Sequence, residues 1–528
     1  MRLSVTLIFS LCLGFISMSL ERIWAVLFAL SAGGTISGVF SLVTGIILLG
    51  LAGGTYLGYP YCKTRHLDMY RFMVKCAFLA CVFSYILIPL YSNILVMSVF
   101  LGFLIWIPLL LAIFIAIGSL IPILCHVTKR APWQSVGRLI GWVYGCYLLG
   151  AALGMLITGG FLTQSFSGVV LFRWFSLALV SLTILLAPWL NFKQASQKKL
   201  IIQLGTATIA LLGVLAWVDG QTLQKLFFKD TFNHRKVFSH SLESKQGMLS
   251  AIKGVGNQGD ALYIGGAYQG HFNIDPVFNA NKIDRAYFIS SLHPDPLEVL
   301  QIGLKDGSWA SVFAGNPGTE SLSVVDPNIS FRRLIDRYSE IKPLLHNDKV
   351  NLFFEDGRKF ITKLGAVKYD IIAVNNPSSS QEGITRYLSK DFILLAARHL
   401  KEGGLLAVNS GGCQHVYTTM AQFFPFVVTM GDIVVGAYGN MQVEKNVLSQ
   451  RLESFRPNGS VVFDTSEPPA KKALEKLIKV DKKNARARLL EMGGTITDNN
   501  MRCEFQEHLL VRAMKDWRKK VFAFISGD

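Results

Sequence analysis

The sequence predicts two fold classes in one chain: a helical domain that passes several times through a membrane, and an α/β domain with a parallel, doubly wound sheet. Hydrophobic residues make up 51% of the 528 residues and charged residues 16%, which excludes a disordered or collagen-like chain. Residues 1–220 contain 13 Lys and Arg against 3 Asp and Glu, whereas the remainder contains 39 against 32. The chain therefore changes from an apolar part to a part of ordinary polarity near residue 220.

Apolar runs predict the membrane-spanning helices, because about 20 helical residues cross the ~30 Å hydrocarbon core of a bilayer. The fourth run contains Pro108, which allows either one long kinked helix or two shorter ones. We interpret it as one helix and predict about seven helices, at 4–31, 36–58, 69–91, 94–126, 138–162, 170–190 and 200–218.

Basic residues recur in every second loop of this part and are absent from the loops between. Short cytoplasmic loops collect Lys and Arg, so the three basic loops are predicted to lie on the cytoplasmic side. Seven helices then place the N-terminus in the cytoplasm and the α/β domain outside it. The pattern indicates a lipid bilayer as partner and no nucleic acid. The basic residues are Lys63, Arg65 and Arg71, then Lys129, Arg130 and Arg138, then Lys193, Lys198 and Lys199.

Two further features of the apolar part are notable. Glu21 and Arg22 lie within an apolar stretch, where they mark a functional site, pair with each other, or end a helix at the interface; the sequence leaves these open. Gly141, Gly145 and the pair Gly150/Gly154 predict close packing between helices rather than a pore.

The polar part divides into a β-rich subdomain at 221–296, with Gly-rich hairpins, and an α/β domain at 297–528. From residue 297, short apolar strands alternate with amphipathic helices, which is typical of a parallel sheet with right-handed crossovers. The Lys-rich segment 467–491 is interpreted as a solvated helical insert. Cys413 and Cys503 stand alone and are interpreted as free thiols, and no spacing of Cys or His predicts a metal site. The strand segments are LEVLQIG, SLSVVD, VNLFFED, YDIIAVN and GLLAVNS.

Ligands in doubly wound sheets bind beyond the carboxyl ends of the strands, near the point where strand order reverses. Four stretches fall at such ends: Gly303 to Ser308, Asp326, Glu355 to Arg358, and Asn375 to Pro377. They supply four acids, a Gly-containing loop and an amide pair, which are the candidate binding residues.

These stretches resemble the spermidine synthase family, and more closely its membrane-fused branch. The family has a class I methyltransferase-like (Rossmann-like) fold with a Gly-rich loop, an acid after the second strand, an Asp-Ala/Gly-Arg-like motif and a catalytic Asp after the fourth strand. Four further segments, in the same order as in that branch, are similar to it: GFISMSLERIW (14–24), SVGRLIGWVYGCYLLGAALGMLITGGFL (135–162), ITRYLSKDF (384–392) and TDNNMRCEF (497–505).

The resemblance implies a set of site residues and one loss. Aminopropyl transfer needs a carboxylate that takes a proton from the attacking amine, and Asn375 occupies the matching position. No catalytic residue is therefore assigned. Leu304, Lys305 and Ser308 stand where the family prefers Gly. The residues matching the nucleoside and amine pockets are Gln269, His293, Gly303, Asp306, Asp326, Glu355 and Asp356.

Three function classes remain open. The interpretation we favour is a membrane protein whose degenerate synthase-like domain binds a polyamine-like cation or a membrane protein partner without aminopropyl transfer and without a cofactor. The second is an active membrane-anchored aminopropyltransferase that uses decarboxylated S-adenosylmethionine. The third is a transporter. The resemblance implies a bacterial inner (cytoplasmic) membrane protein, and the basic loops predict that the α/β domain lies in the periplasm.

Overall fold

The chain, described as a computed structural model, divides into two compact units: Met1–Arg235 with His508–Asp528, and Lys236–Glu507. We treat each unit separately. The structure describes residues 3–32, 36–64, 66–97, 99–128, 136–163, 168–185, 238–244, 247–264, 267–375, 385–500 and 503. The expected helix at 200–218 and the dipeptide Asn376-Pro377 lie outside these ranges.

The first unit is helical throughout its described part, because its long apolar runs satisfy their backbone hydrogen bonds internally only as helices. A short 3₁₀ turn, Tyr59–Lys63, follows α2, and a π turn, Thr158–Leu162, follows α6. The helices are α1 (Leu3–Ala32), α2 (Ile36–Gly58), α3 (His66–Met97), α4 (Val99–Gly118), α5 (Leu120–Thr128), α6 (Val136–Ile157) and α7 (Gly168–Leu185).

Four stretches of these helices are long and apolar enough to cross a membrane: Leu3–Ala25, Leu42–Lys63, Ile105–His126 and Gly137–Leu162. A shorter apolar helix covers Val170–Thr183. The expected number of about seven spans is thus not confirmed. The predicted run at 94–126 is divided differently, because α3 continues to Met97 and the rest forms α4 and α5, which are broken at Ser119 and not at Pro108.

Glycines allow close approach of helix backbones at two interfaces. A Cβ added to Gly150 or Gly154 on α6 would lie 1.9 or 2.3 Å from a carbonyl oxygen of α1. A Cβ on Gly54 of α2 would lie 2.2 Å from the Ile115 carbonyl oxygen of α4. The packing role predicted for Gly150 and Gly154 is therefore confirmed, whereas a Cβ added to Gly141 or Gly145 would meet no atom of the described residues within 4 Å.

The second unit begins with a four-stranded antiparallel sheet in the order β1-β2-β3-β4. Its strands are β1 (Phe238–Ser244), β2 (Gly247–Ile252), β3 (Ala261–Ile264) and β4 (Ala267–His271), as the hairpin-rich sequence predicts. Helix α8 (Asp284–Leu292) is buried along its whole length and leads into the larger sheet.

Seven strands form that larger sheet in the order β10-β11-β9-β8-β5-β6-β7. The pairs from β9 to β7 are parallel, and β11 is antiparallel to both β9 and β10. Strand order reverses between β5 and β8, so this is the switch point. The strands are β5 (Glu298–Ile302), β6 (Ser321–Val325), β7 (Val350–Phe353), β8 (Tyr369–Val374), β9 (Leu400–Asn409), β10 (Phe426–Met430) and β11 (Ile433–Ala437).

Helices cover both faces of this sheet, which is why β8 is apolar without interruption from Ile371 to Val374. Ile371 and Ala373 pack into one core and Ile372 and Val374 into the other. On the first face, α8 is joined by α9 (Ser308–Ala314), α10 (Ser330–Ile335), α14 (Lys445–Glu453) and α15 (Pro468–Ile478). On the second lie α11 (Gly357–Lys363), α12 (Lys390–Ala397), α13 (His415–Phe423) and α16 (Arg486–Glu491).

Two expectations for the C-terminal part are wrong. The Lys-rich segment is not a solvated insert, because α15 buries Leu474 and Leu477 in the first core. Cys413 and Cys503 are not free thiols but form a disulfide, with their Cα atoms 5.7 Å apart. Their separation of 90 residues gave no spacing signal, and the fold alone brings them together.

Candidate functional site

The site is built around the loop that connects β5 to α9 at the switch point. Gly303 has a φ of +94°, and a Cβ there would lie 2.6 Å from the Asn375 carbonyl oxygen. Gly307 has a φ of +79° and begins α9, and a Cβ there would lie 2.8 Å from Ile341. Only glycine tolerates both the positive φ and the lack of space for a Cβ at these two positions, so the two glycines fix the path of the loop across the strand ends.

Lys305 directs its ammonium group into the switch point. The side chain is only 6% exposed, and its Nζ donates a hydrogen bond of 3.1 Å to Asn375 Oδ1. Burial lowers the pKa of Lys305 to about 8, against the opposing attraction of Asp306 and Asp326. The amide oxygen of Asn375 must face the ammonium, since an amide nitrogen cannot accept a hydrogen bond. A cation of the chain itself therefore lies beside the position that matches the family's catalytic Asp.

Asp306 is 2% exposed and is held by side chains from two segments. Its Oδ2 accepts hydrogen bonds from Ser308 Oγ at 2.7 Å and from Asn281 Nδ2 at 3.1 Å. Burial raises the pKa of Asp306, although these donors and the Lys305 charge oppose the rise. Gly270 of β4 lies directly against this carboxylate, where a Cβ would be 2.9 Å from Oδ2.

Asp326, at the end of β6, holds the backbone of two loops. Its Oδ2 accepts from the Leu304 N–H at 2.9 Å, and its Oδ1 accepts from the Asn328 N–H at 2.8 Å. Burial raises the pKa of Asp326 to about 6 in spite of these hydrogen bonds. Both carboxylate oxygens are thus engaged by the protein itself.

Asp356 and Glu355, at the end of β7, are also paired within the chain. Asp356 caps α11 by accepting from the Arg358 and Lys359 N–H groups at 3.1 Å, and it forms an ion pair with Arg386. Burial would raise the pKa of Asp356, but these donors outweigh it and the pKa is lowered. Glu355 forms an ion pair with Lys363.

The structure brings most of the predicted site residues together, but not His293. Gly303, Asp306, Asp326, Asp356 and Glu355 lie at the carboxyl ends of β5, β6 and β7, as predicted. Gln269 is buried on β4 and precedes Gly270, the residue of that strand whose backbone lies against Asp306.

His293 lies at the amino ends of the parallel strands, whereas the site lies at their carboxyl ends, because His293 precedes the first residue of β5. Five strand residues, or about 16 Å, separate the two ends of β5. His293 Nδ1 accepts from the Asp295 N–H at 3.2 Å, and burial lowers its pKa.

A nucleoside substrate does not fit the loop as it stands. The family's Gly-rich loop gives the ligand access to backbone, whereas here Leu304 is buried and Lys305 occupies the space between the strand ends. The carboxylate of Asp326, the acid that follows the second strand of this sheet, has both oxygens occupied by backbone donors. We therefore derive no reaction step through decarboxylated S-adenosylmethionine.

An ion-pair network that the sequence did not predict begins at Arg358, two residues after Asp356. Arg358 binds Asp498 through both guanidinium nitrogens, at 2.9 and 2.5 Å, and Ser389 Oγ donates to the same carboxylate at 2.6 Å. The segments around Ser389 and Asp498 are the two that resemble the family's C-terminal motifs. The sequence indicated only that Ser389 and Asp498 each lie in a segment that resembles a family motif. The fold was needed to show that the two side chains are bonded to each other.

Comparisons with known proteins agree with the resemblance for the synthase-like domain. No family model matches the chain. It is 30% identical over 124 residues to a polyamine aminopropyltransferase of Streptococcus uberis, covering 23% of this chain and 42% of that protein. It is 26% identical over 147 residues to the polyamine aminopropyltransferase of Streptococcus pneumoniae, covering 26% of this chain and 50% of that protein. The chain spans about half the length of the curated relatives it matches.

Two solved structures are similar to about half of this chain. A spermidine synthase in complex with the transition state analogue AdoDATO has 12% identity and a TM-score of 0.37, covering 48% of this chain and 89% of that one. Spermidine synthase from Thermotoga maritima has 12% identity and a TM-score of 0.36, covering 48% and 88%. The curated relatives therefore support a spermidine synthase-like domain within the chain.

Proposed function

We propose that the chain is an integral membrane protein whose spermidine synthase-like domain does not transfer aminopropyl groups. The observation that carries the proposal is the hydrogen bond from Lys305 Nζ to Asn375 Oδ1. Aminopropyl transfer needs a base for the amine proton and room for a cationic substrate. Here an amide replaces the base, and a fixed ammonium repels the substrate cation.

The four acids support the same conclusion. Asp306, Asp326, Asp356 and Glu355 each have a partner within the chain, and the first two are almost completely buried. A polyamine would therefore have to displace the Lys305 ammonium or break an internal ion pair. This favours a domain that binds a membrane protein partner over one that binds a polyamine, and polyamine binding remains the second candidate.

We further propose that the helices anchor the domain in the inner membrane of a bacterium, with the domain in the periplasm. The basic loops recur after every second predicted helix, which supports a cytoplasmic side for those loops. The Cys413–Cys503 disulfide supports the placement independently, because disulfides persist in oxidising compartments and are rare in the cytosol.

The activity test uses the full chain purified in detergent, with putrescine and decarboxylated S-adenosylmethionine as substrates and spermidine measured by mass spectrometry. We expect no spermidine. A bacterial polyamine aminopropyltransferase serves as the positive control. Spermidine formation by this chain that is lost in Asn375→Ala would overturn the proposal and favour the active-transferase alternative.

The ligand test uses calorimetry on the same preparation with putrescine and spermidine at low salt. We expect no heat from the wild-type protein, because the acids already have partners. Binding that weakens in Asp356→Ala but not in Lys363→Ala would favour the polyamine candidate. Solute uptake into proteoliposomes that depends on the helical unit would favour the transporter.

A further inference from the structure

Glu21 is an acidic side chain buried in the helical unit. The sequence holds two acids before residue 185, Glu21 and Asp68. Asp68 has half of its side chain exposed and pairs with Arg71. Glu21 is 1% exposed and lies well inside α1, 11 residues before the end of that helix at Ala32.

One oxygen of this carboxyl has a partner and the other has none in the described part of the chain. Thr44 Oγ1 of α2 donates to Oε1 at 2.7 Å, whereas Oε2 is buried without a hydrogen bond. Arg22 does not compensate the charge, because its side chain extends along Gly159 of the π turn, with Nε 3.4 Å from the position of an added Cβ.

The helices that pack on α1 bring few charged groups near it. They are α2, α5, α6 and α7. Residues 26–41 and 84–104, whose side chains the structure does not describe, contain no Asp, Glu, Lys, Arg or His. The titratable side chains described on the packing helices are Tyr56, Cys125, His126, Arg138, Tyr144, Cys146, Tyr147 and Arg173.

A charged carboxylate with one orphan oxygen is unstable in such a place. An ionised side chain is costly at the centre of a bilayer, because no water solvates the charge there. A protonated carboxyl avoids this cost and still accepts the Thr44 hydrogen bond. The geometry therefore favours the acid form of Glu21.

Hydroxyl groups continue along the same face of α1. Thr6, Ser10, Ser17 and Glu21 follow each other at helical spacing and are all buried. Ser17 Oγ lies 2.9 Å from Tyr147 Oη of α6. From Thr6 to Glu21 this face covers about 22 Å, which is most of the thickness of a bilayer core.

We propose that Glu21 is a proton-binding site of the helical unit, which releases its proton to the hydroxyl-lined face of α1 and takes one up from it. The carboxyl becomes a carboxylate on release, and the proton passes to a hydroxyl or water on that face. The proposal rests on the proposed function only in taking α1 as a membrane-spanning helix.

The test uses dicyclohexylcarbodiimide, an apolar reagent that modifies protonated carboxyls, on the full chain in native membranes. Peptide mass spectrometry reads the modification at Glu21 between about pH 6 and pH 10, a range that brackets the titration of a strongly perturbed carboxyl. We expect modification at Glu21 that falls about tenfold per pH unit above its midpoint, and none at Asp68.

Thr44→Val gives a second readout, and Thr55→Val on the same helix is its matched control. The Thr44 hydroxyl stabilises the charged form, so its loss should move the midpoint to higher pH. Among the described residues, Thr55 bonds to the carbonyls of Leu51 and Ala52 in its own helix and not to Glu21, so its variant should leave the midpoint unchanged.

Absence of modification at Glu21 across the pH range, or a midpoint that Thr44→Val does not move, would overturn the proposal. Protection of Glu21 by Na⁺ or spermidine at constant pH would overturn it in favour of a different cation. Extraction of the protein from membranes by alkaline carbonate would instead refute the membrane anchoring, so the two failures are distinguishable.

Discussion

The buried ammonium of Lys305 predicts an unusual dependence of stability on pH. The pKa of a lysine in the unfolded chain is 10.5, and burial lowers it to about 8 in the folded protein. Between these values the unfolded chain holds one more proton than the folded chain. The free energy of unfolding therefore rises with pH from about 8 to 10.5 and receives no change from this group below that range.

The magnitude follows from the difference between the two pKa values. Each pKa unit corresponds to about 1.4 kcal/mol, so the rise amounts to roughly 3 kcal/mol. No discount for solvent screening is needed, because the side chain is 6% exposed. Lys305→Met fills a similar volume without a titrating group, so the variant should lack the rise.

The assay is pulse proteolysis of the full chain in urea, with the fragments of the second unit followed at each pH. The quantity compared is the difference in free energy of unfolding between the wild type and Lys305→Met, because other groups also titrate in this range. Lys282→Met is the control, since Lys282 is 60% exposed in its ion pair with Asp432. A difference that stays constant within about 1 kcal/mol from pH 7 to 10.5 would show that the ammonium is not buried as described.

Three further predictions test the site and the disulfide. Gly303→Ala should destabilise the second unit by about 2–4 kcal/mol and Gly365→Ala by about 1 kcal/mol, because both have positive φ but only Gly303 meets a carbonyl oxygen; equal losses in urea unfolding would contradict this. The pKa of Asp326 rises from its usual 3.8 to about 6 on folding, so this group stabilises the fold at low pH and the contribution is lost as pH rises from 3.8 to about 6; urea unfolding of Asp326→Asn should not show this loss. On reduction, the chain should gain two more maleimide tags, from Cys413 and Cys503; tagging of both in cells without reductant would contradict the disulfide.

The sequence predicted the strands of the larger sheet closely. LEVLQIG, SLSVVD, VNLFFED and YDIIAVN each contain one of the strands β5 to β8, because apolar β-branched runs between helical segments have few alternatives. It also located the carboxyl ends of those strands, and hence the cluster around Gly303, Asp306 and Asp326.

The motif match predicted His293 as a site residue, and this prediction failed because the loop that carries His293 lies at the wrong ends of the strands. His293 precedes β5 and therefore lies at the amino end of that strand, as the predicted strand LEVLQIG already implied. The helix boundaries between 94 and 128 were missed because a long apolar run carries no internal stop signal stronger than Pro108.

The sequence by itself determined the division of the chain into an apolar and a polar part and the parallel sheet. These follow from local composition and periodicity, which act within a few residues. Only the tertiary structure decided that Lys305 faces Asn375, 70 residues away, that Cys413 meets Cys503, and that Glu21 is buried against Thr44. Each of these contacts joins segments that become neighbours only when the strands pair or the helices pack, and burial then sets the charge state of the groups involved.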